Sequence, residues 1–157
     1  MATLHLIVGL PCSGKTTLAR QLEHQYSALR LTPDEWHIRL FGMDVDDAEH
    51  DARHNLVEAI QWELASRVLA LGVNVILDFG FWGKSEREDF RLRASRLGAI
   101  CEIHFLNVPE AILFERLVKR NALLIPGTFQ IPESMMRSFI SVFQPPTEDE
   151  LEPRRAT

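Results

Sequence analysis

The chain has only two cysteines, Cys12 and Cys101, among its 157 residues. Two cannot build a disulfide framework, so a reducing compartment, the cytosol, is expected. It also lacks a basic excess: 17 Lys and Arg stand against 22 Asp and Glu, a net charge of −5. A nucleic-acid partner would call for a basic face, so the balance argues against one and suits a small-molecule ligand. Long apolar runs are missing too. The N-terminal run Leu6–Leu10 is far too short for a signal peptide or a membrane span, and no membrane partner is expected. No internal repeat or long linker divides the chain, which predicts one domain over residues 1–157. A hydrophobic share of 46% is enough for a core at this length.

Strands and helices alternate along the chain. Thr3–Gly9 is nearly all apolar, as a parallel strand buried on both faces would be. Lys15–Tyr26 follows as a helix and Ala28–Leu31 as a short second strand. Thr32-Pro33-Asp34-Glu35 then predicts a capped helix start, with Thr32 as cap and Glu35 closing a capping box. That helix ends at Gly42, and the acid-rich Asp44–Asp51 opens a longer one to about Leu71. Leu56, Ala59, Ile60, Leu64, Val68 and Leu71 keep a helical period within it. Val73–Asp78 is the third strand. Ser85 and Glu88 predict another capping box, and the alternating charges from Arg87 to Arg96 predict a solvated helix. The fourth strand lies in Ala99–Val108. A helix starts at Pro109 and passes through Arg120, Asn121–Ile131 forms a loop, and Pro132 starts a helix to about Phe143. Gln144-Pro145-Pro146-Thr147 breaks it, and a tail (about 148–157) closes the chain without a good fifth strand. The alternation predicts a three-layer α/β fold with a parallel sheet of about four strands and helices on both faces.

Between the first strand and its helix runs Gly9-Leu10-Pro11-Cys12-Ser13-Gly14-Lys15-Thr16-Thr17. It fits G-x-x-x-x-G-K-[ST], a loop whose backbone N–H groups wrap phosphates at a helix N-terminus. The two glycines permit close backbone approach. Lys15 supplies a point charge for the β- and γ-phosphates, and the Thr16 hydroxyl a ligand for Mg²⁺. A bound nucleoside triphosphate is therefore expected: ATP, with GTP not excluded because no base-reading motif is visible.

Other candidates lie where strands end, the edge at which open α/β sheets bind ligands. Asp34, a few residues after the second strand, is placed to accept the proton of an attacking hydroxyl. The competing reading is that it only complements a helix N-terminus. Asp78 closes the third strand as a Walker B acid does, with roles in holding Mg²⁺ or in binding substrate left open. Arg116 and Arg120 share a helix face ahead of the Asn121–Ile131 loop, suited to neutralising a transferring phosphoryl group. Phe81, Trp82, Lys84 and Arg87 offer a substrate wall or simple packing. His50 and His54, at i and i+4, echo the H-E-x-x-H zinc helix, but with Asp51 in place of Glu and no obvious third ligand.

Taken together, Gly9–Thr17, Asp34-Glu35-Trp36, Asp78–Trp82 and Glu115–Asn121 resemble the small P-loop kinases of the group containing chloramphenicol phosphotransferase, zeta-toxin kinases and the 5′-kinase domain of polynucleotide kinase. Nearly the whole chain is covered, and it looks closest to bacterial AAA-family ATPases classed as predicted kinases. The resemblance implies a strand order of 2-3-1-4, a lid at about 117–132, Asp34 as base, Arg116 and Arg120 as lid arginines, and adenine contacts from Gln144–Thr147, Pro146 among them. Polynucleotide kinases carry an arginine soon after the base. This chain has His37 there and Arg39 slightly later, so both become candidate acceptor-side residues beside Asp34, Asp78 and Trp82. The function expected is ATP- and Mg²⁺-dependent phosphoryl transfer to a hydroxyl of a small molecule. The acids of Asp44–Asp51 would suit a cationic acceptor such as an aminoglycoside. The alternatives are a polynucleotide or nucleoside 5′-kinase, and a nucleotide-binding switch or slow ATPase. Oligomeric state is not legible.

Overall fold

A computed structural model describes residues 1–123 and 125–156. Leu124, in the expected lid, and Thr157, in the expected tail, lie outside the described residues. The elements run β1 (Thr3–Val8), α1 (Lys15–Tyr26), β2 (Leu29–Leu31), α2 (Pro33–Phe41), α3 (His50–Ala70), β3 (Val75–Gly80), α4 (Lys84–Arg96), β4 (Ile100–Phe105), α5 (Glu110–Leu123), α6 (Glu133–Val142) and α7 (Glu148–Leu151). The four strands form one parallel sheet in the order β2-β3-β1-β4. This is the expected α/β fold with the expected strand order.

Alternation along β1 sorts its side chains between two cores. Leu4, Leu6 and Val8 join Val75 and Leu77 of β3 against Ala65 and Leu69 of α3 and Phe90 and Ala94 of α4. Ile7, with Ile76 of β3, packs on the opposite face against Ala19 and Leu22 of α1. Apolar residues on both faces thus hold β1 at the centre of the sheet, and its end delivers the chain into the glycine loop. A third cluster, Leu113 and Leu117 of α5 with Ile131 and, on α6, Met136, packs against Leu10 and Cys12 of that loop.

Several local expectations give way to tertiary contacts. The helix after the acidic run starts at His50, not Asp44, because residues 44–50 form successive turns (Asp47 N to Asp44 O, His50 N to Asp47 O). Its periodic stripe is not the buried one. Leu56, Ile60, Leu64 and Leu71 are exposed, whereas Val57, Gln61, Ala65 and Leu69, one residue round the helix, face the sheet. Neither N-terminal capping box forms. Thr32 instead donates to Asp78, and Glu35 takes Arg30. Glu88 takes Arg154. The helix expected to be solvated buries Arg87 completely and Arg91 nearly so. Arg87 pairs with buried Glu150 of the unexpected helix α7, Nε to Oε1 at 2.9 Å, and Arg154 forms an antiparallel bridge with Cys101 of β4. The tail is therefore built into the fold. Finally, α5 stays helical to Leu123, well into the expected loop.

Candidate functional site

The loop after β1 is shaped by two backbone requirements. A side chain on Gly9 would bring its Cβ to 2.5 Å from Ser13 Oγ and force Ser13 to move, and Gly9 N donates to Gly80 O to tie the loop to β3. Gly14 has φ 94° and Cys12 φ 67°, left-handed conformations that turn the chain into the N-terminus of α1. Ser13 Oγ is buried without a partner. Lys15 Nζ donates to Leu10 O at 3.0 Å, spanning the loop. Burial pulls its ammonium below the ordinary value, with Asp78 and Asp34 as the carboxylates opposing that shift.

Asp78 lies inside β3, and parallel register sets Leu31 at the end of β2 beside Leu77. The next residue, Thr32, donates to Asp78 Oδ2 at 3.0 Å, and Thr16 of α1 donates to the same oxygen at 2.7 Å. Oδ1 is buried with no partner. Burial pushes this carboxyl up, while Lys15 and the two hydroxyls act the other way. One carboxylate with a free oxygen and one bound to the Thr16 hydroxyl is an all-oxygen donor set that fits Mg²⁺.

Asp34, in the first turn of α2, has a side chain 44% exposed and bears on both Lys15 and Asp78. Behind it stands a line of imidazoles that spacing alone could not reveal. His54 Nε2 of α3 is 3.9 Å from Asp34 Oδ1 and 3.4 Å from Glu58. Its Nδ1 is 3.2 Å from His37 Nδ1, and His37 Nε2 is 2.6 Å from Asp44 Oδ1. Asp44 also receives His50 and Arg53, at 2.7 and 2.9 Å. Burial opposes its ionisation, but these hydrogen bonds win and hold the carboxyl far below its usual range. For His54, burial works against the cation, and Glu58, Asp34 and Asp51 outweigh it, so its pKa is raised. His37, a candidate acceptor-side residue, is fully buried under Phe41 and Phe129 and cannot touch a ligand in this form. Asp44 is turned inward and neutralised, so it does not add to an acidic acceptor wall. Arg39 is exposed near the end of α2, with no ion pair among the described residues.

On the other side of the loop, Arg116 Nη1 donates to Cys12 O at 3.1 Å. Arg120 reaches Cys12 Sγ at 3.7 Å and Phe129 O at 2.8 Å, and its Nε is buried without a partner. Helical spacing thus brings both arginines onto the phosphate loop. Asn121 holds the returning chain through Ile131 N and O. Phe129 packs edge-on against His37 and His50. The segment 125–131 therefore bridges the loop and the α2–α3 side.

Trp82 is committed beneath the loop: its indole donates to Gly9 O at 3.1 Å and its ring packs on Phe139. Phe81 is core, and Arg87 is held by Phe81 O and Glu150, so neither forms a substrate wall. Trp82 O accepts from Gln144 N, and Gln144 Oε1 accepts from Lys84 N, which anchors the segment carrying half-buried Pro146. Thr17 is exposed on α1, and Pro11 is partly buried in the loop.

A family model described as an AAA domain matches residues 4–146. The chain belongs to this AAA domain family. Among solved structures, a chain of the Pnkp1/Rnl/Hen1 RNA repair complex superposes with a TM-score of 0.75 at 22% identity, covering 99% of this chain and 49% of that one. This chain thus spans about half the length of that relative. Chaetomium thermophilum Kti12, in complex with ADP-AlF3, gives 0.70 at 23% identity, covering 92% and 81%. A gluconokinase from Sinorhizobium meliloti gives 0.66 at 19%, covering 96% and 79%. The AAA domain thus has the fold of a small P-loop kinase. No helix among the described residues is long and apolar enough to cross a membrane.

Proposed function

We propose that this AAA domain is a phosphotransferase that moves the γ-phosphate of ATP to a hydroxyl of a small molecule. The observation that carries the reading is Asp34: a part-exposed carboxylate two residues after Thr32, whose hydroxyl donates to the same Asp78 oxygen as Thr16 of the phosphate loop. The amides of residues 9–17 and Lys15 hold the triphosphate, and Pro146 lies on the adenine side. Thr16 and Asp78 would hold Mg²⁺, which supplies charge neutralisation on the phosphates. Arg116 and Arg120, already fixed to Cys12, stabilise charge on the transferring group from the side opposite Asp34. Asp34 orients the acceptor hydroxyl and takes its proton as the new P–O bond forms. The lid, at about 117–132, is coupled to both sides of the cleft, to the phosphate loop through Arg120 and to α2 and α3 through Phe129.

His54, 3.9 Å from Asp34, is shared with Glu58, and Arg30 is taken up by Glu35 and Glu23, so these cations on the Asp34 side are paired with acids. That favours a small acceptor over a polynucleotide 5′-end. With Asp44 neutralised internally, the remaining acids Asp46, Asp47, Glu49 and Asp51 are exposed side chains that would attract a cationic acceptor such as an aminoglycoside. ADP release should be screened against sugars, nucleosides, aminoglycosides and DNA 5′-ends. One small-molecule class should accelerate ADP release above the basal rate. Acceleration by DNA ends alone would replace this reading with a polynucleotide kinase, and a flat response across all four classes would favour a switch or slow ATPase.

A further inference from the structure

A second cluster of ligand atoms sits on the sheet away from the cleft. Parallel register sets His5 of β1 opposite Glu102 of β4 and Ile7 opposite His104, so alternation puts His5, Glu102 and His104 on one face. His5 Nδ1 is 2.9 Å from His104 Nε2 and 3.7 Å from Glu102 Oε2, and His104 Nε2 is 3.9 Å from the same oxygen. Three donors at 2.0–2.2 Å from one tetrahedral ion lie about 3.3 Å apart, so small side-chain movements suffice to close this triangle on a cation.

We propose that His5, Glu102 and His104 bind one divalent first-row transition cation of the zinc class, clasping the central strand β1 to the edge strand β4. Two imidazoles and a carboxylate select such an ion over Mg²⁺ or Ca²⁺, which take oxygen sets. The charge balance agrees. Among the described residues, Glu102 meets no Lys or Arg, only the two histidines. A cation would replace the His5–His104 hydrogen bond, the ring that now donates carrying its proton on its other nitrogen instead. Glu102 and His104 are partly exposed while His5 is buried beneath them against Tyr26, leaving an entry path and open positions for water. The other triad, His37, Asp44 and His50, differs in the decisive respect: Arg53 already occupies Asp44.

The test is calorimetric titration of the full chain, freed of metal by chelation, with zinc sulfate in the absence of nucleotide and Mg²⁺. One equivalent should bind with micromolar or tighter affinity and raise the melting temperature. His104→Asn and Glu102→Gln, at partly exposed positions, should each weaken binding by at least about tenfold and abolish the thermal shift. His50→Asn and Cys12→Ser should bind as the parent does. Absence of binding by the parent chain, unchanged affinity in His104→Asn, or loss of binding in His50→Asn or Cys12→Ser would overturn the assignment. None of these outcomes bears on the kinase reading, whose readout is acceptor-dependent ADP release.

Discussion

At the scale of single residues, two arginines do different work for reasons of burial. Arg120 has a guanidinium anchored by Phe129 O and Cys12 Sγ at the phosphate loop. Its replacement by Ala should lower kcat by about 100-fold or more while the folded state persists, checked by steady-state kinetics beside circular dichroism. Arg87 is fully buried on Glu150, and its loss is a stability event. Desolvation opposes the Glu150 charge, but Arg87 and Thr147 overcome it and hold this carboxyl down at about 2, against an ordinary 4.5. A depressed acid stabilises the fold above its unfolded pKa, and that contribution is lost as pH falls from about 4.5 through about 2, amounting to ~3 kcal/mol. Urea titrations across this window should show the loss in the parent chain, and Glu150→Gln should remove that part of the pH dependence.

At the scale of elements, α3 shows which sequence signals carry and which do not. Gln61 faces the core with both amide atoms unpartnered, in the stripe of Val57, Ala65 and Leu69. Gln61→Met relieves that unmet hydrogen bonding at similar volume and should stabilise by about 1 kcal/mol, a rise of roughly 2–4 °C in Tm by calorimetry. Ile60→Asp, on the exposed stripe, should change stability by less than about 0.5 kcal/mol. Periodicity identified the helix correctly but chose the wrong face, because leucines and isoleucines outnumber the small and polar residues that fit close to the sheet. The phosphate loop was legible because it is local: strand, glycines, lysine and helix follow one another. Thr32 does occupy the N-cap of α2, but its hydroxyl serves Asp78 of β3 instead of the helix, a partner 46 residues away that no local pattern shows. The imidazole line from Asp34 to Asp44 was invisible for the same reason. His37 and His54 belong to different helices and meet only when α2 packs on α3.

At the scale of the whole molecule, residues 144–154 fasten the β3–α4 region to the start of β4. Gln144 binds the β3–α4 loop, Glu150 fills the buried Arg87, and Arg154 joins both Glu88 and the β4 backbone. A chain ending after Thr147 should lose about 3–5 kcal/mol, since Arg87 is left buried without its carboxylate, as measured by chemical denaturation. The proposed lid and the arginine pair on one side, and Asp34 on α2 on the other, come together because β1 and β2 deliver their loops to the same edge of the sheet. The central claim is that Asp34 is the base for phosphoryl transfer to a hydroxyl. It is tested most directly by comparing acceptor-stimulated ADP release by the parent chain and by Asp34→Asn under saturating ATP and Mg²⁺. The account predicts that stimulation falls by about 10²–10⁴-fold in the variant while ATP still binds. Stimulation left intact in Asp34→Asn would contradict it.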